Sequence, residues 1–273
     1  MKQKSEHERL HAKIKHDNWD VLVYLDACRY DIFKQVYKDI IGGNLDKAIS
    51  PARHTLEYFE KMFPDIYEDI VYVSANALLN SKGIVFGIGG NSYDASKHFH
   101  KVIDVWEVGW DERIQTVHPK EVNKHATVAF CIYPKKKVIL HYVQPHAPYI
   151  CYKGYGTKAL IRKQYSKSRL LEFIMRHIKH ETLWKVADRF GALPTDGVGY
   201  LWKEVGRDGI IKGYTEDLKL VLRYVKQLMD KYPKKKFVIT SDHGERLGEK
   251  GNYGHHHTGG YDKEIIEVPW WVK

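Results

Sequence analysis

Two short apolar runs, each ending on a carboxylate, constrain this chain more than any other feature. Asp20-Val21-Leu22-Val23-Tyr24-Leu25-Asp26 is apolar throughout between its acids, and Phe237-Val238-Ile239-Thr240-Ser241 runs directly into Asp242-His243-Gly244-Glu245. Runs of this length without polar alternation suit strands buried on both faces, as in a parallel sheet. Further strand patterns lie at 70–74, 102–105, 138–143 and 265–272. Between them, Ile32, Phe33, Val36, Tyr37 and Ile40 recur at helical spacing and are closed by Gly42-Gly43. Over 214–231, Leu218, Val221, Leu222, Val225, Leu228 and Met229 do the same, with Thr215 as candidate cap and Pro233 just beyond. Strands alternating with helices predict an α/β three-layer sandwich around a mostly parallel central sheet.

The 273 residues suit a single large domain, and a high aromatic content excludes a disordered chain. No apolar run reaches the roughly 18–20 residues of a membrane span. The charged start, Met1 to Asp17, lacks the apolar core of a signal peptide, so a cytoplasmic location is expected. Cys28, Cys131 and Cys151 are too few and too scattered for a disulfide framework or a CxxC zinc site. The net charge of +10 is uneven. Residues 152–189 hold ten Lys/Arg against three Asp/Glu, in a helical pattern followed by a Gly/Pro-rich stretch. We read about 150–212 as a basic helical insertion or cap on the one domain.

In open α/β sheets, ligands bind beyond the carboxyl ends of the strands. Asp26 ends the first run, Gln144-Pro145-His146 follows the strand at 138–143, Asp242-His243 follows the run at 237–241, and His255-His256-His257 comes soon after. Each alone has a plain structural explanation: a strand-end Asp as a turn residue, Asp-His-Gly as a turn, the histidines as a solvated loop. Their convergence on one sheet edge is what a divalent cation requires, and carboxylate plus imidazole donors suit Zn²⁺ or Mn²⁺.

Thr240-Ser241-Asp242-His243-Gly244-Glu245, followed by Leu247-Gly248-Glu249 and Tyr253-Gly254-His255, resembles the C-terminal signature of the sulfatase-like hydrolases of the alkaline phosphatase superfamily. The opening strand with Asp26, the helix before Phe237 and the closing Glu267-Val268-Pro269-Trp270 look like further pieces of it. The resemblance runs from about residue 19 to the C-terminus and implies a nucleophile lying on a metal ion soon after the first strand. Thr55, in Arg53-His54-Thr55-Leu56-Glu57, is the candidate, with Ser50 as the alternative. Sulfatases proper carry a modified Cys at this point; this chain has none there, which favours phosphate esters.

On that resemblance, Asp26, Asp242, His243 and Thr55 hold one divalent metal, Zn or Mn, with Ca or Mg as alternatives. His146 and His255 bind a second metal or stabilise charge and protonate the leaving oxygen. His256 or His257 are alternatives to His255. Gln144 stands where several relatives have Asp, so one metal site is favoured over two. Arg53, Asn76 and Lys250 are candidates for substrate contact, whereas Arg29 reads as structural, pairing with Asp31. The function expected is metal-dependent hydrolysis of phosphate mono- or diesters, with an anionic substrate as partner. Sulfate-ester hydrolysis and phosphoryl-group transfer are the alternatives within the superfamily. A basic nucleic-acid-binding protein without catalysis is the alternative of another class.

Overall fold

The computed structural model describes residues 10–153, 198–255 and 260–273, except 11 and 16. Seven strands form its main sheet: β1 (Val21–Leu25), β2 (Asn44–Ile49), β3 (Tyr67–Ser74), β4 (Phe99–Asp104), β5 (Lys137–Tyr142), β6 (Phe237–Thr240) and β7 (Glu267–Val272). Their order is β2-β7-β6-β1-β5-β3-β4. β1 lies in the middle, parallel to β6 with Val21 opposite Phe237, and parallel to β5 with Val21 opposite Val138. β3 pairs in parallel with β5 and β4, while β7 runs antiparallel to both β6 and β2.

The apolar runs behave as their lack of alternation predicts. Along β1, Val21, Val23 and Leu25 enter one core, and Leu22 and Tyr24 enter the other. The first core is covered by helices α1 (Tyr30–Ile40), α3 (Pro119–Ile132) and α4 (Val198–Lys231). The second is closed by α2 (Thr55–Met62) together with Leu10 and Ile14. This is the expected three-layer α/β sandwich, with a mixed and mostly parallel sheet. β2 was not visible as a strand in the sequence: Asn44-Leu45-Asp46-Lys47 is polar, and it pairs at the sheet edge, where one side of a strand meets water.

The boundaries differ from expectation at α4. Thr215 does not cap a helix there; its hydroxyl donates to the Ile211 carbonyl at 2.7 Å, inside a helix that begins at Val198. Gly206 (φ 66°, ψ −176°) kinks this helix, a conformation that costs glycine least. Most of the expected basic insertion, residues 154–197, lies outside the described residues. Of its remainder, Leu201 and Ile210 are buried in the first core.

Asp217 of α4 accepts the Ile150 N–H on both carboxylate oxygens, at 2.9 and 3.1 Å, and so ties the segment after His146 to the helix. Burial pushes its carboxyl up to about 7, although hydrogen bonds from the backbone pull the other way. The folded state therefore holds a proton that the unfolded chain releases near the ordinary carboxylate value. Stability should fall as pH rises from about 4 to 7, by up to about 4 kcal/mol from this group, and level off above. Asp217→Asn should flatten that slope in denaturant titrations between pH 5 and 8. An unchanged slope would rule out Asp217 as its source.

Candidate metal centre

The parallel strands deliver their carboxyl ends to one edge, and the chemistry-bearing residues collect there. Asp26 follows β1 directly, and Asp242 and His243 follow β6. The turn after Asp26 is tight: Ala27 takes a positive φ of 56°, unusual for a residue with a Cβ. It is pinned by the Ala27 N–H on Asp242 Oδ1 at 3.3 Å and the Cys28 N–H on Ser241 Oγ at 2.7 Å. In the Asp-His-Gly-Glu segment, Gly244 donates its N–H to the Ile265 carbonyl at 2.6 Å. A Cβ there would lie 2.2 Å from the Glu264 carbonyl oxygen, so only glycine fits.

Asp26, Asp242 and His243 form a buried cluster whose ligand atoms all lie within 4.8 Å of one another. Thr55 joins it: its Oγ1 donates to Asp242 Oδ2 at 2.8 Å. Thr55 is the first residue of α2, and His54 is the cap, accepting the Glu57 N–H on Nδ1 at 3.4 Å. The hydroxyl therefore stands at the positive end of the helix dipole without being consumed by capping. Ser50 is differently placed. Its hydroxyl donates to the backbone carbonyls of Asp242 and Ala52, so it braces the chain behind the cluster.

The residues fit a cation. His243 Nδ1 lies 2.9 Å from the Gly244 carbonyl, which only accepts, so Nδ1 carries the proton of the neutral ring. The bare Nε2 then faces Asp242 Oδ2 at 3.4 Å and Asp26 Oδ1 at 3.7 Å, and it has no hydrogen-bond partner among the described residues. Three lone-pair donors aimed at one another in a buried site repel unless a positive charge sits between them. Burial alone would push the Asp26 carboxyl up, but the facing His141 and the nearby His146 outweigh it. The carboxyl is held well below the usual range and is ionised.

A second cluster, His146, Glu245 and His255, lies beside the first. His255 Nδ1 is 3.2 Å and His146 Nε2 3.9 Å from Glu245 Oε1. The His255 ring centroid is 4.3 Å from that of His243, so this histidine borders both groups. Two imidazoles with one carboxylate is a donor set known for catalytic zinc. Glu245 stands in the Asp242-His243-Gly244-Glu245 motif, and nothing local in the sequence gives it a role. The preference for one metal rested on Gln144, and the structure turns Gln144 away: it is fully buried and donates to the Val117 carbonyl at 3.1 Å. Glu245 supplies the carboxylate instead. His256 and His257 lie outside the described residues.

The other candidates are dispersed. Asn76 donates to Asp26 Oδ2 at 2.8 Å, so it touches the cluster through Asp26. Arg53 folds over the Tyr261 ring at 5.1 Å, and its N–H and Nε reach Glu57 Oε2 at 2.9 and 3.4 Å. Lys250 occupies the exposed turn between the strands Arg246–Glu249 and Asn252–Gly254, with φ 52°. Arg29 is structural as expected, forked onto Asp31 at 2.7 and 2.9 Å and reaching Glu249 at 2.7 Å.

No protein-family model matches the chain, and no curated protein matches it in sequence. Solved structures do match. The C-terminal periplasmic domain of EcEptC from Escherichia coli aligns at TM-score 0.52 and 12% identity, over 94% of this chain and 74% of that one. The same domain in complex with Zn aligns at 0.52 and 13% identity, with the same coverage. The integral membrane protein lipooligosaccharide phosphoethanolamine transferase A from Neisseria meningitidis aligns at 0.50 and 15% identity; 94% of this chain covers 48% of that one. These matches also correct the expected cytoplasmic location. Domains of this fold occur in the periplasm and as part of an integral membrane protein, so a charged N-terminal segment does not assign this chain to the cytoplasm. Among the described residues, no helix is long and apolar enough to cross a membrane.

Proposed function

We propose, on the premise that this chain has the alkaline phosphatase-like fold, that it is a metal-dependent hydrolase of phosphate esters with Thr55 as nucleophile. The observation that carries this reading is the placement of Thr55 Oγ1, 2.8 Å from Asp242 Oδ2 and beside two further buried donors. Asp26, Asp242 and His243 would hold one cation together with the Thr55 oxygen, and His146, Glu245 and His255 would hold another. A bound divalent cation would supply Lewis-acid chemistry, favouring the ionised hydroxyl near neutral pH and neutralising phosphoryl oxygens. The donor sets suit zinc, followed by manganese.

Asp242 accepts the hydrogen bond of the Thr55 hydroxyl and so aims it; once that hydroxyl has lost its proton to solvent, Oγ1 bonds to phosphorus as the bond from phosphorus to the alcohol oxygen breaks, leaving a phosphothreonine. Where no second cation is held, His255, adjacent to both clusters, is placed to give the leaving oxygen a proton and then to take one from the incoming water. The dipole of α2 favours the growing negative charge at Thr55.

A second reading replaces water by an acceptor alcohol, and the likeness to the Neisseria phosphoethanolamine transferase favours it. One assay separates the two. Purified protein with added Zn²⁺ or Mn²⁺ should release nitrophenol from a nitrophenyl phosphodiester or monoester, and much less from the sulfate ester. A single burst equal to the enzyme, followed by turnover only when an alcohol is added, would identify the transferase. No burst and no turnover of any ester, together with salt-sensitive nucleic-acid binding, would sink both readings.

A further inference from the structure

Buried beneath the first cluster is a histidine that neither the sequence nor the mechanism accounts for. His141 sits inside β5, opposite Tyr24 of β1 and Ser74 of β3, and is fully buried. Its ring lies among those of Tyr24, Phe59 and Tyr72, with centroids about 6 Å apart. An aliphatic or phenyl side chain would fill this aromatic slot without the cost of burying a polar ring. The imidazole makes two polar approaches. Nδ1 is 2.6 Å from the Tyr72 hydroxyl, and Nε2 is 3.5 Å from Asp26 Oδ2.

Proton counting fixes the direction of this chain. A ligand carboxylate only accepts, which assigns the facing hydrogen to Nε2 and leaves Nδ1 to accept the Tyr72 O–H. Burial pushes the Tyr72 phenol well above its ordinary value, which keeps it a donor. The Asn76 amide donates to the same carboxylate oxygen at 2.8 Å. Both groups therefore approach Oδ2, Asn76 by a hydrogen bond and His141 Nε2 by a 3.5 Å contact too long and bent to count as one, whereas Oδ1 is the oxygen turned towards His243 Nε2.

We propose that His141, held by Tyr72 and aided by Asn76, is a positioning residue that engages Asp26 Oδ2 and so presents Oδ1 alone to the cation. This rests on the reading of Asp26 as a metal ligand. Without the Tyr72–His141 pair the carboxylate would be held on Oδ2 by Asn76 alone, and part of the binding free energy would go into orienting it. Hydrogen-bond partners behind metal ligands are commonly worth 10–100-fold in affinity.

The test is Zn²⁺ affinity, measured by competition with a chromogenic chelator, with the visible spectrum of the Co²⁺-loaded protein as second readout. A Glu245→Gln background isolates the Asp26 cluster. His141→Phe, which suits the aromatic slot, should bind Zn²⁺ about 10–100-fold more weakly and alter the Co²⁺ spectrum. Tyr72→Phe should shift both in the same direction, and His141→Gln, which keeps a donor, should recover part of the loss. Parent-like affinity and spectrum in His141→Phe and Tyr72→Phe, with binding lost in Asp26→Asn, would overturn the inference alone. Parent-like binding in Asp26→Asn would remove the ligand assignment, and the inference with it. If His141→Phe does not fold, Tyr72→Phe decides, since it removes a single oxygen.

Discussion

Thr55→Ala is expected to abolish turnover, lowering kcat by at least about a thousand-fold, because removal of a nucleophile leaves only the binding and electrostatic contributions. The argument is positional. Thr55 Oγ1 meets the buried Asp26–Asp242–His243 cluster, and its hydrogen bond to Asp242 Oδ2 aims it there. Asp242 also accepts the Ala27 and His243 N–H groups on Oδ1, so the carboxylate stays in place when Thr55 is truncated. Metal affinity should therefore fall far less than turnover. Thr55→Ser should retain measurable activity, and acid quenching of the wild type during turnover should trap phosphate on the peptide that contains Thr55. Ser50→Ala should keep turnover and lose only stability, since that hydroxyl is spent on backbone carbonyls. Full metal-dependent turnover by Thr55→Ala would refute the nucleophile assignment.

Glu245→Gln should separate the two clusters. Glu245 is fully buried and contributes the carboxylate of the His146–Glu245–His255 group. The amide keeps the shape but removes the negative charge, so metal analysis should fall from about two ions per chain towards one. The kcat should drop about 100- to 1000-fold, the range seen when one preorganised charge-stabilising group is removed. The thermal response should change as well. A ligand at a hundred times its Kd stabilises by about 2.7 kcal/mol, and the variant should lose the increment belonging to the second ion. Retention of two ions at wild-type affinity would show that the cluster is only a buried ion pair.

Much of this was legible in the sequence because it is local. The strand from Val21 to Leu25 and the strand from Phe237 to Thr240 are apolar at every position but one, since helices cover both of their faces. Asp26, Asp242 and His243 declare themselves by following such runs. The edge strand Asn44–Ile49 was hidden because only one of its sides is paired, and its partners Trp270 and Trp271 are over 200 residues away. Helix α3 was hidden too: its buried Val122, Ala126, Ala129 and Phe130 are mostly small and interleaved with polar residues. His141 was lost inside an apolar run, where period and composition cannot distinguish a polar ring from its neighbours. Glu245 was seen and left without a role, because a carboxylate three residues after Asp242 acquires one only when His146 and His255 arrive beside it.

The sequence by itself determined most of the element types, the mostly parallel character of the sheet and the strand ends at which chemistry collects. Those follow from hydrophobic periodicity, which each segment carries independently. Only the tertiary structure decided which of those ends share a site. Placing β1 between β5 and β6 brings Asp26, His146 and Asp242 to one edge, and α2 delivers Thr55 across to Asp242, 187 residues away. The tertiary structure also turns Thr55 towards the Asp242 carboxylate and Ser50 towards backbone carbonyls, and turns Glu245 towards His255 and Gln144 towards Val117. Hydroxyls and carboxylates of equal chemistry differ in what they face, and that is set by strand order and backbone turn rather than by residue type.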